Sequence, residues 1–202
     1  ELKPDMAGIH NNLGSALHSQ GKLDEAVDSF EKALLLKPDY AEAGNNLGNV
    51  FKEQNKLDVA ITCFHKVLEF NPDFTEAHSN LGNALREQGE QEAATECFRK
   101  ALALEPDCIN AHLGLATLYQ DTGQFADAKM HLDRVLAQKP DHPLAWAVLP
   151  SLRKMTPDDL PWAETAQRLL ADDPEPQVEM RLCYTLGKYH DDMRQYDAAF
   201  GY

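Results

Sequence analysis

Asparagine recurs at a fixed spacing in the first half of the chain, and it is the residue type here best suited to recognising another molecule. Asn12, Asn46 and Asn80 are 34 residues apart. An asparagine amide carries a donor and an acceptor together, which matches both polar groups of a peptide unit whatever its side chain. Ser15, Asn49 and Asn83 lie three residues after these asparagines, and Asn11 and Asn45 directly precede Asn12 and Asn46.

The asparagines lie in segments whose apolar spacing is helical, although asparagine is a poor helix former. Its side chain competes for backbone hydrogen bonds, so its recurrence indicates a role other than helix stability. Binding is one such role. The alternative hypothesis is that these residues reflect the common ancestry of the repeats on a solvated face.

Histidine also recurs, at His10, His78 and His112, which raises the question of a metal site. Equivalent positions on adjacent packed helices lie roughly 8–10 Å apart, whereas ligands of one ion must all lie about 2 Å from it. We therefore expect the histidines to fill space between helices and predict no metal site.

The 4 cysteines are far apart and form no Cys-x-x-Cys pair, which favours a reducing, cytoplasmic location over a disulfide-linked secreted protein. Cys63 and Cys97 share one repeat position and are expected to be buried, with no cationic partner in the repeat. The sequence contains no nucleophile motif, phosphate-binding glycine loop or catalytic carboxylate pair. It predicts neither enzymatic activity nor a cofactor in this chain.

A Pro-Asp pair that recurs every 34 residues defines the repeats that carry these side chains. The pairs begin at Pro4, Pro38, Pro72, Pro106 and Pro140. Residues 1–6 match the end of a preceding unit, so we expect the chain to be part of a longer protein. Four regular units are predicted at residues 7–40, 41–74, 75–108 and 109–142.

Each regular unit contains two segments with helical apolar spacing. In the first, helix A, a leucine precedes a small residue, at Leu13-Gly14, Leu47-Gly48, Leu81-Gly82 and Leu115-Ala116. In the second, helix B, an alanine is followed four residues later by a large apolar residue, at Ala26/Phe30, Ala60/Phe64, Ala94/Phe98 and Ala128/Leu132. The small residues allow close helix contact, and stacking of the units buries a continuous core.

The last third of the chain departs from this pattern. Residues 143–176 are predicted to form a degenerate helical pair, because Pro150 would break its first helix. Thr156-Pro157-Asp158-Asp159 supplies capping groups for a new helix that should run to about Ala171. Residues 177–202 are predicted to be a truncated sixth unit.

The composition limits the choice of partner. The formal net charge of −14 argues against a protein that binds nucleic acid or an anionic membrane. The longest apolar runs fall well short of the roughly 18 residues that a membrane helix needs. We therefore expect a protein or peptide partner.

The 34-residue period and the Leu-Gly…Ala…Phe…Pro pattern resemble the tetratricopeptide repeat (TPR) family. The family's frequent tryptophan is replaced by His10, Gly44, His78 and His112. The resemblance implies an all-α fold, a right-handed α-solenoid of stacked antiparallel helix pairs, in which helix A lines the concave groove. It implies that polar residues of helix A line this groove, and the candidate peptide-binding residues are Asn12, Asn46, Asn80, Ser15, Asn49, Asn83, Asn11 and Asn45. The asparagine series is similar to the asparagine ladder of the O-GlcNAc transferase superhelix, and Gly114 interrupts it in the fourth unit.

These features predict a non-catalytic scaffold that binds an extended peptide or a partner helix in the groove. The alternative is the substrate-recruiting N-terminal arm of a larger transferase. Residues 156–159, 182–188 and 196–200, which follow the run of repeats, support that alternative, because they loosely resemble bacterial proteins that join such repeats to a sulfotransferase domain. A further expectation is end-to-end self-association through the exposed terminal helices.

Overall fold

The computed structural model describes residues 6–152, 155–172 and 176–194, and all regular structure in these ranges is helical. The α-helices are α1 (Met6–Ser19), α2 (Leu23–Leu36), α3 (Ala41–Glu53), α4 (Leu57–Phe70), α5 (Thr75–Gln88), α6 (Gln91–Leu104), α7 (Ile109–Asp121), α8 (Phe125–Gln138), α9 (Pro143–Val148), α10 (Leu160–Ala171) and α11 (Pro176–Asp192). The helices from α1 to α8 alternate as the predicted helices A and B. The all-α helix-pair repeat is therefore confirmed.

The chain divides into two compact units, Glu1–Ala111 and His112–Tyr202. In the first unit, α1/α2, α3/α4 and α5/α6 form packed pairs, and α2 and α4 also contact the A helix of the following pair. The division falls within the fourth predicted repeat. The exact repeat boundaries stay a prediction.

Each pair in the first unit is held together by a glycine in helix A that faces a phenylalanine in helix B. Gly14, Gly48 and Gly82 face Phe30, Phe64 and Phe98 in turn, and each of these rings is fully buried. A Cβ atom on Gly48 would lie 2.5 Å from Cε1 of Phe64. The phenylalanine ring therefore occupies the volume that any larger residue at the glycine position would need.

Successive pairs of the first unit are joined by apolar packing and by polar links at the helix ends. Leu47 packs with Phe30 and Ala33 of the preceding helix B and is only 6% exposed. Gln54 Nε2 donates to Asp24 Oδ1 at 2.9 Å, and the equivalent Gln88–Asp58 hydrogen bond is 2.6 Å long. The same contacts thus recur with the repeat.

The turns within the pairs place an asparagine or a glycine where helix A ends. Asn55 has a φ of 59° and Gly89 a φ of 91°, so both end helix A in the left-handed region that glycine and asparagine tolerate best. Helix B ends at an extended residue directly before each proline, for example Asn71 before Pro72. Proline disfavours helical geometry in the residue that precedes it.

Helix α1 presents apolar side chains that its equivalents bury. Leu13 is 48% exposed, whereas Leu47 and Leu81 at the same repeat position are 6% and 2% exposed because the preceding pair covers them. Met6 and Ile9 are about half exposed beside Leu13. End-to-end self-association through this face stays a prediction.

The second unit contains the irregular helices expected from its prolines. Helix α9 ends at Val148 and is followed directly by a short 3-10 turn, Leu149–Leu152, which contains Pro150. A capping box between Thr156 and Asp159 precedes α10, which ends at Ala171 as predicted. The core contains Trp162, Leu182, Leu186 and Tyr189. The predicted sixth-unit residues 197–200 lie outside the described residues.

Replacing Gly48 with alanine should destabilise the first unit by about 1–3 kcal/mol, because the added methyl group overpacks against the Phe64 ring. The free energy of unfolding in urea measures the effect. Replacing the ring by the smaller leucine in a G48A/F64L double variant should restore part of the lost free energy of unfolding.

Asn49→Ala, one residue further along α3, is the matched control. Its side chain is only partly buried, and alanine has the higher helix propensity, so stability should stay within about 0.5 kcal/mol or rise. Equal stability of G48A and the wild type would show that the close contact does not set the helix spacing.

Candidate functional site

Six of the eight predicted binding residues lie on the side of α1, α3 and α5 that faces away from the B helices, and the other two, Asn11 and Asn45, are buried. Asn46 lies two residues before Gly48, which places it about 200° around the helix from the packed glycine. Asn12 and Ser15 are exposed, and the four equivalents in α3 and α5 are partly buried. We call this surface the A-helix face; it comprises Asn12, Ser15, Asn46, Asn49, Asn80 and Asn83.

Two of these asparagines are held in place by asparagines of the preceding repeat. Asn46 Nδ2 donates to Asn11 Oδ1 at 3.2 Å, and Asn80 Nδ2 donates to Asn45 Oδ1 at 2.9 Å. The two acceptor residues, Asn11 and Asn45, are 8% and 5% exposed. Asn11 and Asn45 therefore act as buried links between successive A helices and position the amides of Asn46 and Asn80.

The other polar residues of the face differ in their free hydrogen-bonding capacity. In the described part of the chain, the side chains of Asn12, Asn49 and Asn83 make no hydrogen bond, so each can offer its whole amide to a ligand. The Ser15 hydroxyl instead donates to the backbone oxygen of Asn11, 3.1 Å away. Its oxygen can still accept a hydrogen bond from outside.

The amide link does not continue past the third repeat. Ser79, which holds the position of Asn11 and Asn45, is fully buried, and its Oγ lies 3.4 Å from Cys108 Sγ. In the fourth repeat, Gly114 and Thr117 hold the positions of Asn46 and Asn49, and the Thr117 hydroxyl donates to Leu113 of its own helix at 3.0 Å. The amide-bearing surface is thus a property of the first unit.

The second unit has a cavity of about 330 Å³ that the repeat pattern of the sequence does not indicate. Its lining includes residues of α7, α9 and α11, among them Thr117, Val148, Met180 and Tyr184. Met180 and Tyr184 are 67% and 72% exposed. Met180 and Tyr184 are four residues apart, so they share the side of α11 opposite the buried Leu182 and Leu186. This spacing is the feature of the sequence that could have indicated the cavity.

Two of the three recurrent histidines, His78 and His112, make specific contacts. His78 Nε2 lies 2.8 Å from the Pro72 carbonyl oxygen, so this nitrogen carries the proton and donates it. In the second unit, His112 Nδ1 and His131 Nδ1 are 2.8 Å apart, and Tyr119 stacks on the His131 ring. Among the described residues, no group of three potential ligands is close enough to hold a metal ion.

The cysteine environment differs in one respect from the sequence-based expectation. Burial raises the pKa of the Cys63 and Cys97 thiols, and the nearby Lys66 and Lys100 oppose this shift in part. The expectation that neither cysteine has a cationic partner is therefore wrong. Both cysteines are half-buried free thiols.

Within the described ranges, no helix combines the length and the apolar content that crossing a lipid bilayer requires. Two family models match the sequence. A model described as TPR repeat matches residues 14–55 and 48–89, and one described as Tetratricopeptide repeat matches residues 85–152. No protein of curated function matches.

The fold of this chain is similar to those of solved helical-repeat proteins. PilF of Pseudomonas aeruginosa has a TM-score of 0.77 at 19% identity, covering 96% of this chain and 88% of its own. A tetratricopeptide repeat protein from Parabacteroides merdae has a TM-score of 0.72 at 21% identity, covering 98% and 76%. The first TPR of Spaghetti (RPAP3), bound to the HSP90 peptide SRMEEVD, has a TM-score of 0.57 at 25% identity, covering 59% and 95%.

The Asn45–Asn80 hydrogen bond should appear as a coupling of about 0.5–1.5 kcal/mol in a double-mutant cycle of N45A, N80A and N45A/N80A. N80A alone should cost about 1–3 kcal/mol, because it leaves the buried Asn45 oxygen without its donor. Urea unfolding supplies all the free energies. The matched cycle on Asn49 and Asn83, from the same two repeats, should be additive within about 0.5 kcal/mol; equal coupling in the two cycles would contradict the link.

The stability of the protein should fall as the pH drops below about 6.5, the unperturbed histidine value. Burial, followed by the neighbouring His112, lowers the pKa of His131, and Asp127 opposes this shift. The unfolded state therefore binds more protons than the folded state in this range, and the contribution to stability present at neutral pH is lost on acidification. The pKa of His142 is lowered in the same direction by burial and by Lys139.

His131→Cys, which copies the residue at this position in the second and third repeats, should reduce the loss of stability between pH 7.5 and pH 5.5. Thermal unfolding of the variant and the wild type across this range measures it. The same pH dependence in both proteins would assign the effect to other groups.

Proposed function

The chain belongs to the tetratricopeptide repeat family, and from this premise we propose that it is a non-catalytic scaffold that binds an extended segment of a partner protein on the A-helix face. Repeats of this family commonly mediate protein–protein interactions. The observation that carries the proposal is the series of amide side chains held at equivalent positions on successive A helices. The formal net charge of −14 favours a polypeptide ligand over a nucleic acid.

The spacing of the amides suits an extended peptide. Packed helices are roughly 10 Å apart, and an extended chain advances about 3.3 Å per residue, so one asparagine meets about every third peptide residue. An amide can accept from the peptide N–H and donate to its carbonyl oxygen. Such contacts bind the peptide backbone without discriminating between its side chains, so sequence specificity would come from neighbouring surfaces.

The amides of Asn46 and Asn80 are positioned before any ligand arrives. Each already uses one N–H in its link to the preceding repeat, which fixes the side-chain rotamer and leaves the oxygen for a ligand. Ordering a side chain on binding costs about 0.5–1.5 kcal/mol, so prior ordering favours affinity. Asn12, Asn49 and Asn83 add complete amides on the same helices.

The alternative function, a substrate-recruiting arm of a larger transferase, uses the same surface. The partner segment would then belong to the substrate of a domain outside this chain. No reaction is assigned to the residues described here, and the binding experiment below applies to both functions.

Linear peptides selected against the protein from a random display library should lose affinity by about tenfold or more in the N12A/N49A/N83A variant. Three hydrogen bonds of about 0.5–1.5 kcal/mol each account for a loss of this size. These three positions are chosen because they take no part in the links between repeats. Isothermal titration gives the dissociation constants, and circular dichroism checks folding.

E31A/H65A/R99A is the matched control, with one exposed helix B residue changed in each of the same three repeats. It should bind within about twofold of the wild type, as expected for residues remote from the ligand. N-methylation of the peptide backbone, scanned along its length, should weaken binding at intervals of about three residues. Equal losses in both triple variants, or no loss in N12A/N49A/N83A, would disprove the role of the A-helix face.

A further inference from the structure

A cavity of about 290 Å³ lies where the first and second repeats meet, and it is distinct from the A-helix face. It lies among α2, α3, α4 and the loop that joins α2 to α3, and its lining is mainly apolar. We call it the Gly44 pocket, and define it by Leu34, Pro38, Gly44, Leu47, Cys63 and Val67.

The pocket lies where other repeats place a ring. Gly44 holds the fourth position of its repeat, where the other repeats carry His10, His78, His112 and Trp146. The His78 ring donates from Nε2 to the carbonyl oxygen of Pro72, six residues earlier. Trp146 makes the same contact from Nε1 to the Pro140 oxygen, at 2.5 Å. The equivalent acceptor for position 44 is the carbonyl oxygen of Pro38, also six residues earlier, and Pro38 is one of the residues that line the pocket.

Cys63 forms another wall of the pocket, and comparison with the fourth repeat shows what contacts this position. In the fourth repeat, the fourth-position ring of His112 contacts His131, whose equivalent in the second repeat is Cys63. A ring placed in the Gly44 pocket as His112 is placed in its own repeat would therefore lie against Cys63. Val67 replaces the alanine found in the first and third repeats and takes up part of the space beside Gly44, as its Cγ2 would lie 2.6 Å from an added Cβ.

We propose that the Gly44 pocket binds the indole side chain of a tryptophan from a partner polypeptide, with the indole N–H donating to the Pro38 carbonyl oxygen. Cavities of about 150 Å³ already hold a benzene ring, so this volume suits a bicyclic one. Tryptophan is among the residues that most often dominate interfaces from such pockets, and its N–H usually finds an acceptor when buried.

The rim of the pocket favours a polypeptide over a free indole compound. Phe70 lines the pocket and is 60% exposed, and the lining also includes the charged Asp39 and Lys66. These side chains provide an apolar and charged surface on which the chain attached to the ring can lie.

Alkylation of Cys63 tests the proposal on the unmodified protein, with Cys97 as the internal control. The two thiols share one repeat position, are similarly buried and have their pKa raised by the same cause, but the third repeat already contains the His78 ring. The rate of reaction with iodoacetamide is followed at each cysteine by peptide mass spectrometry. 3-Methylindole, at ten times its dissociation constant, should slow the reaction of Cys63 by about tenfold and leave that of Cys97 unchanged.

Two further probes test the hydrogen bond and the source of the ring. 1,3-Dimethylindole, which has no N–H, should need about three- to tenfold higher concentrations for equal protection. N-acetyl-tryptophanamide, which carries peptide groups on both sides, should protect Cys63 at least as well as 3-methylindole. Protection by 3-methylindole without protection by N-acetyl-tryptophanamide would overturn the assignment to a partner's tryptophan.

The G44H/V67A variant copies His78 and Ala101 of the third repeat and should fill the pocket with its own ring. It should remain folded by circular dichroism and lose the protection of Cys63. Protection that persists in this variant, or wild-type protection that is absent or equal at Cys63 and Cys97, would overturn the proposal. If the variant does not fold, the comparison of the two cysteines in the wild type decides the outcome alone.

Discussion

The structure depends on the contact between a glycine of helix A and a phenylalanine ring of helix B. In each pair of the first unit, this contact leaves no room for a Cβ atom on the glycine, which fixes how closely the two helices approach. Close approach orients the rest of helix A, because its side chains follow the packed glycine at about 100° per residue. The stacking leucines and the amide side chains therefore point where they do as a consequence of this one contact.

The same constraint separates the two asparagines that are adjacent in sequence. Asn45 turns towards the neighbouring repeat and is buried, whereas Asn46 turns outwards and is partly exposed. A buried amide needs a partner, and the next repeat supplies one in Asn80. In the repeated asparagine pair, the first member is buried and links successive A helices, a role that neither sequence-based hypothesis included, and the second presents its amide to solvent.

The helix pairs, their turns and the interruption at Pro150 could be predicted from the sequence, because they follow from local spacing and backbone chemistry. The link between Asn11 and Asn46 was harder to foresee. The two residues are 35 positions apart, one more than the period, and a search for identical positions does not pair them. Met180 and Tyr184 were missed for a related reason, because their exposure depends on which face of α11 the core of the second unit covers.

Departures from the repeat are informative in this chain because the regular positions provide an internal reference. At the fourth position, the rings of His78 and Trp146 donate to a proline carbonyl oxygen, so the acceptor and the surrounding walls are built into the repeat whatever residue stands there. Glycine at position 44 removes the ring and keeps these surroundings. Glycine at position 44 therefore leaves a pocket whose lining includes Pro38 and Cys63. The equivalents of these two residues contact the fourth-position ring in other repeats of the same molecule. The pocket thus keeps groups that can bind a ring supplied by another polypeptide.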